Sequence, residues 1–593
     1  MCCQIVLLVC LAWPIPPKTG DLLPLSGLAP AKYQKDLCQL TYRISTQSEE
    51  CQKLFDQGLG YYYSYAWTEA ARSFETALRH DPQSAMAWWG LSRALQQWGA
   101  KSGKSNDALK KAYDLRDLAS YSEKQIILAR AMERGIAKDA PKDAPAQRQA
   151  AIKIIDELLM LHPDDEEAWM ARGLLAAEGL FFGGKPASAP YYLALTKLNP
   201  LHPGANHELL HQYETSKRPA LGWVHSVKFI ESSPGIHHAW HMQGHLSTRL
   251  GRWEEASVGA LKAIELERAH NQLWNVKSKD DHQWSHHLET CLQILTHQGR
   301  YREARQVVEE MRSLNYNNND HFARLFLASR DYASLQKLID ELRSKNKTNA
   351  SYYAALMNLA QGDVAKAQKE LTILEIPEPT KPEPRKVEPV KPEAAKPQPI
   401  KAETAKSEAA KAESTKPDVA KPIVAKDKPA DKAGDKVKGE DKPKEPEKPK
   451  EGSQNKKLNE IRGLILCKTG HVDQGLALLQ KLAVASQTNY EQHAWGHGAY
   501  YMETWGMAAL AAGKESVAEE AFLEAIAHDP GSFQGALGMQ ILCERTGRTE
   551  EAQQYQAMAQ KAWQHAELKT FLDEVAYVRS QRPTATLSTS AGR

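Results

Sequence analysis

The sequence predicts an all-α fold, a right-handed superhelical solenoid of antiparallel helical hairpins interrupted once by a disordered Lys/Pro/Ala/Glu-rich linker. Three observations predict it. Small and aromatic residues recur with a 34-residue period on both sides of the interruption. The 593 residues exceed what one ordinary core organises. Residues 376–455 lose every aromatic and almost every large aliphatic side chain at once.

The chain opens with an apolar run, Ile5 to Trp13, closed by Pro14, Pro16 and Pro17. It is too short to cross a bilayer, which takes roughly 20 residues, and has the length of a signal-peptide core, although no Lys or Arg precedes it. Residues 1–20 are therefore read as a signal peptide, and the protein as exported, periplasmic or extracytoplasmic. No later segment has the apolar length of a transmembrane helix. Lys and Arg total 76 against 73 for Asp and Glu, a balance that gives no footprint for nucleic acid or an anionic membrane. Eight cysteines without a CxxC pair exclude a disulfide framework or zinc ribbon. Cys38 and Cys51 are the one nearby pair beyond the leader, a candidate disulfide with two free thiols as the alternative.

Residues 45–375 form the first hairpin array. From Leu54 to Pro82, residues Gly58, Tyr61, Ala70, Phe74, Ala77 and Pro82 fall at positions 8, 11, 20, 24, 27 and 32 of one unit. Trp88 and Leu91 restart the pattern, Trp169 with Gly173 and Trp240 with Gly244 continue it, and Gly299, Tyr301 and Ala304 follow. Small residues at 8 and 20 let two helices touch, aromatic residues plug between layers, and the closing Pro ends the second helix. Past the linker, residues 456–580 repeat the pattern through Gly506, Gly513, Ala518, Phe522, Ala525 and Pro530, ahead of a disordered tail at 581–593. The linker itself, rich in Pro and mixed charge, reads as an extended spacer.

These positions resemble the tetratricopeptide repeat family. The resemblance implies a concave groove lined by positions 2, 5, 9, 12 and 13 of each first helix, and a peptide or protein as partner. The segments His202-Pro203-Gly204-Ala205-Asn206-His207, His241 to His245 and Arg249 to Arg252, with Phe55 to Leu59 and Ala85 to Gly90, resemble a group of exported bacterial tetratricopeptide proteins over roughly residues 45–310. That likeness implies fold and export, and no reaction.

Within residues 202–287 the histidines crowd into register. With Pro234 at position 32, His207 and His211 take positions 5 and 9, and His241 and His245 take the same positions 34 residues later. An i, i+4 spacing puts both imidazoles on one helix face, within chelating reach of one ion. His238 and His286 stand at position 2 of their units, Glu214 at 12, Arg249 at 13 as an anion or ligand contact, and His282 just ahead of its helix. Two readings stay open: a non-enzymatic scaffold with these residues as its ligand groove, or a metal site using a divalent ion (zinc, copper or iron), catalytic or not. The string His207-Glu208-Leu209-Leu210-His211 matches HExxH, in which two His bind zinc and Glu activates water. The peptidase reading is disfavoured because the equivalent of Glu208 one repeat later is Met242. Gly99 to Ser105 resembles a phosphate loop but is one residue short and follows a helix rather than a strand. The sequence leaves the ligand and the oligomeric state open.

Overall fold

The computed structural model describes residues 22–99, 102–177, 186–278, 281, 283–375, 453–487 and 499–581. The signal-peptide reading of residues 1–20, most of the 376–455 linker, residues 582–593 of the tail and His282 lie outside them. Helices pair in sequence: α1 (Glu49–Tyr63) with α2 (Trp67–His80), α3 (Ala85–Trp98) with α4 (Ser102–Leu115), α5 (Tyr121–Glu133) with α6 (Ala144–Leu161), and α7 (Glu166–Ala176) with α8 (Ala189–Leu198). The series continues with α9 (Pro203–Glu214) and α10 (Trp223–Ser232), α11 (His237–Arg249) and α12 (Trp253–Trp274), α13 (Trp284–His297) and α14 (Tyr301–Ser313), α15 (Asn319–Ala328) and α16 (Tyr332–Arg343), and α17 (Lys347–Ala360) and α18 (Val364–Leu374). Then come α19 (Ser453–Lys468) with α20 (Val472–Gln487), α21 (Tyr500–Ala511) with α22 (Glu515–His528), α23 (Phe533–Arg545) with α24 (Thr549–Ala562), and α25 (Leu568–Ser580). None of the described helices is long and apolar enough to cross a membrane.

The repeat positions do what their residue types require. Phe74 is fully buried, and a Cβ added at Gly58 or at Gly90 would lie 2.6 Å from its ring. Phe522 stands the same way against Gly506 and Gly538. Gly58→Ala is therefore expected to cost about 1–3 kcal/mol by overpacking, measurable in urea unfolding. The position-4 tryptophans also tie each hairpin to the turn before it: the indole N–H of Trp88 donates to Pro82 O at 2.9 Å, Trp169 to Pro163 O at 2.8 Å and Trp240 to Pro234 O at 3.0 Å. Side-chain caps from Ser84 and Asp165 start the helices after the first two of these turns, and Ser48 and Ser532 cap α1 and α23 in the same way.

Residues 22–48 run as a strap over the first hairpin, anchored by side chains of α1 and α2. Ser26 N donates to Glu75, Ala31 N to Thr76 and Gln34 N to Gln57, all at 2.8 Å. The strap then crosses to the α10–α11 turn, where Gln39 N donates to Ser232 O at 2.7 Å and Gly235 N to Leu37 O at 3.2 Å. This path corrects the candidate Cys38–Cys51 disulfide. Both thiols are free: Cys38 lies on the strap 3.4 Å from the Ser233 hydroxyl, while Cys51, in the first turn of α1, faces Thr46 and Ser84.

Asp56 fastens the strap to α1, accepting from Tyr42 N and Gln52 Nε2, both at 3.0 Å. Burial pushes its carboxyl up to about 7, against the hydrogen bonds that pull it down. The folded chain then holds a proton that the unfolded chain releases from about pH 4 upward, so the residue costs stability progressively as pH rises to about 7. Asp56→Asn is expected to gain on the wild type between pH 4 and pH 8, by on the order of 3 kcal/mol at most, in denaturation curves taken at both pH values.

The core runs from α17 and α18 straight into α19, whose Ile461 and Ile465 are buried in the same apolar cluster as Leu371 and Leu374. Glu460 on α19 accepts from the hydroxyls of Tyr352 and Tyr500, both at 2.6 Å. Helix α19 begins at Ser453, inside the range predicted as linker. The C-terminal hairpins also reach back to the middle of the array. Asp529 accepts from Trp253 Nε1 at 2.9 Å and pairs with His297 Nε2 at 2.8 Å, and Trp563 Nε1 donates to His297 O at 2.7 Å.

Candidate metal centre

Helices α9, α11 and α13 are successive first helices of the array, and their histidines meet. His207 and His211 project from α9, His238, His241 and His245 from α11, and His286 and His287 from α13. Four groups of three donors each have their ligand atoms within 4.8 Å of one another: His207, His211 and His238; His238, His241 and His287; His241, His245 and His286; and His237, Glu267 and His287. The register read from sequence brings together six of its candidate histidines, and Glu214 with them.

The predicted groove is closed over these residues. His207, His238, His241, His245 and His287 are buried, while His211 and His286 are half-buried. The turn between α1 and α2 fills the space: the Tyr65 ring lies 4.3 Å from that of His207 and stacks on His211 at 5.6 Å, and its hydroxyl donates to Glu208 at 2.8 Å. Tyr65 takes a left-handed φ of 57°, a conformation costly for a bulky residue, and its packing against the imidazoles holds it there. Helix α12 closes the other side. Its 22 residues overrun the repeat, and the added turns bring Glu267 to His287 and His270 to within 3.5 Å of Glu69 on α2.

Hydrogen-bond partners assign the protons. Tyr63 O only accepts, so His207 carries its proton on Nδ1, 2.6 Å away, and presents a lone pair at Nε2. His238 Nε2, 3.1 Å from that lone pair, must then donate to it, which leaves His238 Nδ1 to accept from Gln283 Nε2 at 3.1 Å. His245 Nδ1 donates to Glu214 at 2.8 Å, and His287 Nδ1 lies 2.5 Å from Glu267. The His245–Glu214 pair is a carboxylate–imidazole pair of the kind that orients metal-binding histidines and raises their basicity. His241, 1 % exposed, has neither ring nitrogen in a hydrogen bond.

Burial keeps three of the imidazoles neutral. Burial, and then the neighbouring imidazoles, push His207, His238 and His241 well below the usual histidine range, so near neutral pH they are uncharged. Burial pushes the Glu214 carboxyl up, but His245 and His211 pull it further down, below the ordinary range. Burial and Asp281 push Glu267 well up: it sits in a place short of positive charge.

Several expectations change. Arg249 donates to the carbonyls of Glu214 at 2.9 Å and Ser216 at 3.1 Å, closing the end of α9. Glu208 is buried against Tyr65. Sequence reasoning missed His237, His287, Glu267, Tyr63 and Tyr65. Only the doublets His237-His238 and His286-His287 offered a signal, because they repeat on α11 and α13.

Residues 55–114 match the family model described as Tetratricopeptide repeat. No curated protein matches the chain. Similar solved structures include the human IFIT1 dimer with m7Gppp-AAAA, at 12 % identity over 87 % of this chain and 91 % of that one, with a TM-score of 0.26. A monomeric mutant of IFIT1 with Gppp-AAAA aligns at 11 % identity over 86 % and 91 %, also with a TM-score of 0.26. Scores this low say nothing of what this chain binds. The match makes the first two hairpins, over residues 55–114, tetratricopeptide repeats, and the later hairpins carry the same Gly, Phe and Trp positions.

Proposed function

We propose that this repeat scaffold is a metal-binding protein that holds zinc or copper among the imidazoles of α9, α11 and α13. The observation that carries the reading is His241: a buried imidazole with both nitrogens outside any hydrogen bond, surrounded by further imidazoles whose donor atoms lie within 4.8 Å. A buried polar group left this way costs about 1–3 kcal/mol, and a bound cation is what would offset it. Imidazole nitrogens without a thiolate suit zinc and copper; iron sites of the facial-triad type add a carboxylate, and calcium or magnesium sites are built of oxygen. Glu214 and Glu267 act as partners of Nδ1 atoms. The export expectation from residues 1–20 is kept with this reading and would be checked by N-terminal sequencing of protein recovered outside the cytoplasm.

Untagged protein is expected to purify with stoichiometric zinc or copper, and the His207→Ala/His211→Ala/His241→Ala/His245→Ala variant without it. Elemental analysis of both decides. Wild-type protein that stays metal-free after incubation with either ion and desalting would sink the reading.

A further inference from the structure

From the geometry we infer that the centre is a pair of equivalent tri-imidazole sites, one repeat apart, each taking one divalent transition-metal ion. The inference rests on the metal-binding reading above and adds number and arrangement. The first set is His207 and His211, positions 5 and 9 of one repeat, with His238 at position 2 of the next. The second is His241 and His245, at the same two positions of that next repeat, with His286 at position 2 of the one after. Each set therefore joins an i, i+4 pair on one first helix to a single residue on the following helix, and each brings its three donors within 4.8 Å. The pattern survives the overrun of α12, which makes the third unit start late in sequence but leaves α13 packed beside α11.

Two further observations favour two ions over one. Glu214 serves both sets: it accepts from His245 Nδ1 at 2.8 Å and lies 3.6 Å from His211 Nδ1, so one carboxylate orients a ligand of each and supplies charge between them. Each set also has one half-buried member, His211 in the first and His286 in the second, which gives each ion its own route from solvent. The competing arrangement is a single ion in the central trio of His238, His241 and His287. All three of those residues are buried, and using them takes one ligand from each outer set. One ion or two is thus a choice between exclusive arrangements.

Stoichiometry separates them. Full-length protein stripped with a chelator is titrated with Cu(II), and separately with Zn(II), desalted and measured by elemental analysis. Two ions per chain are expected in the wild type, and one in each of His207→Ala/His211→Ala and His245→Ala/His286→Ala. Circular dichroism confirms that the variants fold. Should either double variant unfold, His286→Ala, at a half-buried position, replaces it and is expected to weaken the second equivalent at least tenfold and spare the first. The fully Cu(II)-loaded chain is further expected to show dipolar broadening in its EPR spectrum that is absent from both double variants. One ion per chain in the wild type, lost in His287→Ala, would overturn the pair and leave the metal-binding reading standing. No bound ion in the wild type would overturn both.

Discussion

Replacing Asp529 with Ala is expected to cost about 3–5 kcal/mol of stability, the range for removing one partner of a buried ion pair. Its carboxylate is buried and accepts from Trp253 Nε1 at 2.9 Å, Gly531 N at 2.9 Å and His297 Nε2 at 2.8 Å. The Trp253 and His297 rings stack at 3.5 Å beside it, so truncation leaves buried donors without an acceptor in a place that cannot collapse. These contacts join residues far apart in sequence, and their loss should also divide one unfolding transition into two, read by circular dichroism and tryptophan fluorescence in urea. Burial pushes Asp529 up, but His297 and the hydrogen bonds pull it below the ordinary carboxylate range. Its contribution is therefore present above about pH 4 and is lost as pH falls through its lower folded value. Asp529→Asn, which keeps an acceptor for Trp253 and loses the charge, should fall between the wild type and the Ala variant at neutral pH. Wild-type stability in Asp529→Ala would show that the reach-back contacts hold nothing together.

The second large effect has opposite signs in two conditions. His241→Leu replaces an unpartnered buried imidazole with an apolar side chain of similar size, and is expected to stabilise the metal-free chain by about 1–2 kcal/mol. The same change should weaken the response to metal, removing the ion of the set His241, His245 and His286 and sparing that of His207, His211 and His238. For the wild type, free ion at a hundred times the dissociation constant adds about 2.7 kcal/mol to stability. Thermal melts in chelator and in excess Zn(II) test both halves. A residue retained for packing would give destabilisation in chelator and an unchanged metal response, which would count against the centre. Gaining stability while losing ligand is what is seen where a site is held at a cost to the fold.

Much of the architecture was legible because a hairpin repeat is local. Gly58, Phe74 and Gly90 lie within one unit and the start of the next, and their sizes alone state how the helices touch. The imidazoles of positions 5, 9 and 2 were legible for the same reason, since adjacent first helices must be neighbours. What lay hidden depends on the chain leaving that rule. Tyr63 accepts from His207 across 144 residues, and no local pattern announces it. Glu267 stands on turns of α12 that exceed the repeat and so fell outside any register. His287 occupies a position that the repeat template does not turn toward the groove. The groove read from the family pattern is accordingly filled by the first hairpin, because the strap and the long α12 both hold that hairpin against α9 and α11.

The closure by Tyr63 and Tyr65 has a consequence for the order of folding. Repeat arrays nucleate anywhere and grow by nearest neighbours, with little need for distant contacts. The histidine cluster breaks that freedom, since its members on α13 lie more than two hundred residues beyond the turn that roofs it. During synthesis the early hairpins can stack as they emerge, but the centre stays unfinished until α13 has been made and the first hairpin has settled on α9. If the proposed ions are bound there, loss of their exchange with solvent would mark the moment at which the array stops being a row of hairpins and becomes one body.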